Sequence, residues 1–351
     1  MRRSSLPLVA LLPLLVACPP TLSRPHSPAY EDHLAAGERH MRHGRYEESA
    51  REWSLAAEEA DRRVDRDEAQ YRQSRALKRL GRWEEAVALL DGIAARRPPS
   101  RRTARAILDA SLIRYEHLDR PDEALAGFES ILRRHSDEGP AARALVLLVA
   151  HHRERSLDDA LRVVGQLGQD LADTDLGDDL LALEADLRLE ADDRQGARRA
   201  LERIVAEHPY PQGHRWDDAI EQLAEMDVED GRAEAAIERL EAMLERAEST
   251  TMVGSYTLPA FPRAQLRIAR IQRDQLRDYA AAEVAFDAVY DDFPDSTLRD
   301  DARVELGEML LEQGESRRAC RILRDAIEEF EVGRARRRAV ARVARDCGSE
   351  R

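Results

Sequence analysis

"GRYEESAREWSLA" (residues 44–56) and "GRWEEAVALLDGI" (residues 81–93) are two spellings of one pattern. Each begins at a turn residue, places a bulky residue two positions on, a small one at plus five, a large apolar one at plus nine, and a small or apolar one at plus twelve. The first copy fills these slots with Tyr46, Ser49, Trp53 and Ala56, the second with Trp83, Ala86, Leu90 and Ile93. "DRPDEALAGFESI", from Asp119, supplies Ala124, Phe128 and Ile131. Weaker copies start at Arg155 (Ala160, Val164, Leu167) and Asp192 (Ala197, Leu201, Ile204), and three more at Gly231, Arg277 and Gly314. On a helix, a small residue at plus five admits a close neighbour, and a large one a turn further along the same face fills the space between.

An amphipathic stretch precedes each copy, as in "AQYRQSRALKRL" (69–80) and "DDARVELGEMLLEQ" (300–313), so the predicted unit is helix, turn, helix. Pro98, Pro209 and Pro294 all fall at plus seventeen, where a second helix should stop. Successive starts lie 37, 38, 36, 37, 39, 46 and 37 residues apart.

This pattern resembles the tetratricopeptide repeat (TPR), whose usual period is about 34 residues. The longer period, and phrases such as "DDFPDSTLRDDARVELGEMLLEQGESRRA" (291–319), are similar to the TPRs of bacterial envelope proteins. Those include the lipoprotein of the outer-membrane β-barrel assembly machine and the Tol-Pal-associated cell-division coordinator. The resemblance concerns the type of repeat and carries neither protein's specific role. It implies an all-α solenoid, a right-handed superhelix of about eight repeats over residues 29–332, with a concave groove that takes a protein or peptide partner. A helix after Gly333, within 333–351, would cap it.

Composition agrees with an all-α chain. Of 351 residues, 35% are charged and 5% aromatic, and helix-forming Ala, Leu, Glu and Arg dominate. The formal charge of −14 argues against nucleic acid, which needs a cationic field. Lys78 is the only lysine against 54 arginines, a bias consistent with a GC-rich genome.

The N-terminus reads as a secretory signal over residues 1–17: Arg2 and Arg3, an apolar stretch from Leu6 to Ala17, then a break. That stretch is too short to span a bilayer, which needs roughly 20 residues. Leu15-Val16-Ala17-Cys18 resembles the bacterial lipobox, which implies cleavage before Cys18 and lipidation of it. Two or three acyl chains would make attachment durable. Pro-rich residues 18–28 then form a tether, and Pro19, rather than Asp, after the cysteine favours the outer membrane, facing the periplasm.

Cys320 and Cys347 flank Gly333 by 13 and 14 residues, so antiparallel helices folded about that glycine bring them close to register. Either a disulfide or two separate thiols fits. A bridge would stabilise the terminal cap by about 3–4 kcal/mol on the chain-entropy estimate. The nine extra residues before the seventh repeat fall in "STTMVGSYTLPAFP" (249–262), which is uncharged and carries Met252, Tyr256 and Phe261. It reads either as a loop packed back on the array or as a partner-binding loop.

Catalytic apparatus is missing from the sequence: it holds no GxSxG, P-loop, GxGxxG, HExxH or CxxC. No cofactor, small-molecule substrate or catalytic residue is expected. His33, His40 and His43 approach metal-ligand spacing but read as a solvated helix face, and Asp178-Asp179 and Asp291-Asp292 read as solubilising charge. The expected function is a membrane-anchored interaction scaffold in cell-envelope assembly or maintenance. A subunit of a secretion or motility apparatus, or a regulator of a peptidoglycan enzyme, is the alternative.

Overall fold

The structure is a computed structural model describing residues 26–246 and 259–348. The signal segment, Cys18, Met252 and Tyr256 lie outside the described residues. Among those described, seventeen α-helices follow one another and no strand occurs.

The first helices are α1 (Pro28–Arg42), α2 (Tyr46–Glu58), α3 (Arg63–Arg79), α4 (Trp83–Ala95), α5 (Thr103–His117) and α6 (Pro121–Arg134). Next come α7 (Pro140–Arg155) with α8 (Leu157–Leu171), α9 (Gly177–Glu190) with α10 (Arg194–Glu207), and α11 (Trp216–Glu229) with α12 (Ala233–Leu244). The last are α13 (Ala260–Ile271) with α14 (Tyr279–Asp292), α15 (Arg299–Glu312) with α16 (Ser316–Glu329), and a single α17 (Arg334–Asp346). The chain divides into two compact units, up to Ala124 and from Leu125. In the first unit each helix from α1 to α5 packs on the next, and in the second the same holds from α7 to α17, the packing order of an all-α solenoid.

The eight repeat starts fall on the turns. Gly44, Gly81, Gly231 and Gly314 have φ between 72° and 81°, and Asp119, Asp192 and Arg277 have φ of 54°, 59° and 57°. A left-handed residue reverses the chain so that the next amide donates back into the helix just ended: Arg45 to the His40 carbonyl at 3.0 Å, Glu315 to that of Leu310 at 2.9 Å. After Asp119 and Arg277 the return reaches one residue further, from Arg120 to Arg114 and from Asp278 to Gln272, both at 2.9 Å. Before Arg277 this extra residue is taken up in a π-helical turn, Gln272–Leu276. Arg155 departs from the pattern. It ends α7, and extended Ser156 makes the corner instead, its hydroxyl accepting from the Asp159 amide at 3.0 Å.

All eight plus-five residues, from Ser49 to Ala319, have no exposed surface, and the plus-nine residues, from Trp53 to Leu323, are at most 2% exposed. At plus twelve only Leu167 is not buried. Pro98, Pro209 and Pro294 follow the ends of α4, α10 and α14.

Two readings need correction. Asp178 is not a solubilising charge: it is 3% exposed, and its carboxylate accepts from the amides of His214 and Arg215 at 2.6 and 3.0 Å, fixing the approach to α11. Phe261 is not part of a partner-binding loop. It lies in the first turn of α13, 2% exposed, with its ring edge-on to Tyr210 at 6.0 Å, because Pro259 and Pro262 start a helix whose apolar face then enters the core.

Candidate functional site

From α11 onward the odd-numbered helices of the second unit alternate in charge. α11 carries Asp217, Asp218, Glu221 and Glu225 and no base; α13 carries Arg263, Arg267 and Arg270 and no acid. α15 is again acidic, with Asp300, Asp301, Glu305 and Glu308, and α17 is basic. Opposite charges face each other across neighbouring odd helices. Arg263 reaches Glu221 at 3.0 Å and Asp217 at 3.8 Å, and Arg267 meets Glu225. Arg270 and Arg273 both hold Glu305, at 2.6 and 3.0 Å, while Arg338 and Arg342 converge on Glu308.

The pairs are not equivalent. Burial would raise the Glu305 carboxyl, but the guanidiniums of Arg270 and Arg273 overcome it and hold it below the ordinary carboxylate range. Glu221 shows the reverse: burial raises it and Arg263 does not compensate. Arg267 is lowered by burial and by the like charge of Arg270. Glu305 is thus a doubly held, buried link, whereas Glu221 and Arg267 each keep an ion partner, Arg263 and Glu225, and remain about a third exposed at the surface.

These last two flank a cleft of about 330 Å³ with an apolar floor of Leu240, Leu266 and Leu298 and a rim of Glu221, Glu225, Arg263, Arg267 and Arg270. Such a site can seat an apolar side chain while its rim fixes the charged groups on either side.

The odd helices of the first unit are knit more tightly. Glu68 in α3 accepts from Arg102 of α5 at 2.6 and 2.8 Å and from Arg72 at 2.9 Å, and Arg72 reaches Glu38 of α1 at 3.4 Å. Burial acts to raise Glu68, but Arg102 and Arg72 outweigh it and hold its carboxyl at about 2. Arg102 also stacks over Tyr71 at 4.6 Å, and the Tyr71 hydroxyl donates to Asp109 at 2.8 Å.

Residues 34–101 and 221–297 match the family model of the tetratricopeptide repeat. The chain carries tetratricopeptide repeats. The matched segments include Glu38, Glu68 and Arg72 of the first network and every cleft residue but Leu298. Among solved structures, a tetratricopeptide repeat protein from Parabacteroides merdae is 13% identical, with a TM-score of 0.35, covering 74% of this chain and 92% of that one. Yeast Tom70 is 12% identical, with a TM-score of 0.41, covering 91% of this chain and 64% of that one. No curated protein matches the sequence.

Of the residues singled out in the sequence, the structure joins Cys320 and Cys347 in a disulfide, Cα atoms 5.6 Å apart. His33 pairs with Glu52 of α2 at 2.8 Å. Among the described residues no group of three or more His, Cys, Asp or Glu side chains could hold a metal ion, and no helix is long and apolar enough to cross a membrane. The charged odd-helix face was missed in the sequence, although it left a signal: Glu68 and Arg102 are 34 residues apart, and Glu221 and Arg263 are 42 apart, each close to one repeat.

Proposed function

We propose that this TPR protein is a membrane-anchored interaction scaffold of the bacterial cell envelope, and that the α11–α13 cleft is where it holds a protein partner. The observation that carries the reading is the cleft's geometry: an apolar floor, Leu240, Leu266 and Leu298, under a rim that sets the acids Glu221 and Glu225 beside the bases Arg263, Arg267 and Arg270. TPR arrays bury their small and large repeat residues to build a frame, leaving the odd-helix face to contact partners. A segment with one apolar side chain between an acidic and a basic one fits the cleft.

Anchoring rests on the Leu15-Val16-Ala17-Cys18 stretch, and outer-membrane attachment facing the periplasm on Pro19. Labelling with radioactive palmitate tests the anchor: label on the wild type and none on Cys18→Ser supports it, and an unlabelled wild type overturns it. Capture from detergent-solubilised envelope tests the scaffold. A protein retained by the wild type and lost with Arg267→Glu identifies the partner; equal retention by both removes the cleft from the account.

A further inference from the structure

The terminal helix α17 is built unlike the other odd helices. Its buried side chains are Ala335 and Ala339, with Val343 only partly covered, whereas α13 buries Phe261, Leu266, Ile268 and Ile271, and α15 buries Val304, Leu306, Met309 and Leu310. Three bases, Arg334, Arg336 and Arg337, open the helix, with no acid in its first turn and no side-chain cap at Gly333. Positive charge at a helix start opposes the macrodipole, so α17 is weak by itself. Its ion pairs to α15, Arg338 with Asp301 and Glu308, and Arg342 with Glu308 and Glu312, are all partly solvated and therefore weak holds. What fixes its far end is the bond from Cys347, at the C-terminus of α17, to Cys320 in α16.

We propose that this disulfide is a redox latch: two-electron reduction by a dithiol releases α17 and leaves the rest of the second unit folded. A thiolate of the dithiol attacks one sulfur and the other cysteine leaves as a thiolate. The second thiol of the reductant then closes its own disulfide, and Cys320 and Cys347 end as two thiols, having gained two electrons and two protons. Cys320 and Cys347 are 7% and 9% exposed, so attack proceeds through fraying of the end beside exposed Gly348. Release uncovers Val304, Leu323 and Ala326, which α17 otherwise covers, with Ile327 and Phe330 at their edge. The end of the array then presents an apolar face only under reducing conditions.

Hydrogen exchange of the full chain, with and without dithiothreitol, tests the latch. Reduction should cost the amides of 334–346 at least tenfold in protection and leave those of α13 and α14 unchanged. Unchanged protection in α17, or a loss spread through α13 to α15, overturns the proposal. Cys347→Ser should show the reduced profile without reductant; an oxidised profile counts against the latch.

Discussion

A Cβ added to Gly37 would lie 2.4 Å from the indole Nε1 of Trp53, so α1 and α2 meet at a point where only glycine fits. The indole is fully buried and donates to the Leu34 carbonyl at 3.2 Å, which holds the ring in place. Gly307 meets Leu323 in the same relation in the last repeat, at 2.7 Å, but there the neighbour is a flexible side chain. Gly37→Ala should cost about 1–2 kcal/mol, an overpacking penalty only partly offset by the better helix propensity of alanine. Gly307→Ala should cost less. Urea denaturation of both variants checks the order; equal midpoints would show that Trp53 can move.

Glu68 has a definite acid signature. Its carboxyl is held at about 2 against an ordinary 4.5, so the stability it contributes is complete above about pH 4.5 and is lost as pH falls towards 2. The difference between wild type and Glu68→Gln should be of order 3–4 kcal/mol at neutral pH and close over that window, following the shift at about 1.4 kcal/mol per unit. Denaturant midpoints measured at several pH values decide it: a difference that does not narrow in acid would remove the Arg102 and Arg72 pairs as its cause.

Arg277 sits at a φ of 57°, where a side chain clashes with its own backbone and glycine does not. Among the described residues its guanidinium hydrogen-bonds the Tyr279 hydroxyl alone, at 3.4 Å, so little is lost with it. Arg277→Gly should stabilise the fold by about 0.5–1 kcal/mol. Asp119→Gly should gain less, because aspartate tolerates this region better than arginine. A lower melting temperature for Arg277→Gly would contradict the strain.

These positions show what the sequence made legible. The turn residues and the three slots after them were readable because helix reversal and close packing each admit few residue types, from Gly44 and Trp53 through Gly314 and Leu323. The repeat at Arg155 was in phase, but its corner belongs to Ser156, since a serine cap can replace a left-handed residue. Asp178 was misread because adjacent acids diverge on a helix: Asp178 turns inward to backbone amides while Asp179 pairs with Arg215 at 2.7 Å. The cleft was illegible because its rim unites α11 and α13, about one repeat apart, and no local window contains both.

Phe261 separates a core role from a binding role. Phe261→Ala should destabilise the second unit by about 3–5 kcal/mol, as expected for an aromatic removed from a packed core. Thermal unfolding measures this, and an unchanged melting temperature would return Phe261 to the binding loop.

The most direct measurement is photo-crosslinking in cells, with a photoreactive residue replacing Arg267 at the cleft rim and, separately, Val284, which is 70% exposed on the even helix α14. A discrete protein adduct from position 267 and none from 284 is the predicted result. Adducts from 284 alone, or none from 267, would contradict the claim that the α11–α13 cleft holds the partner.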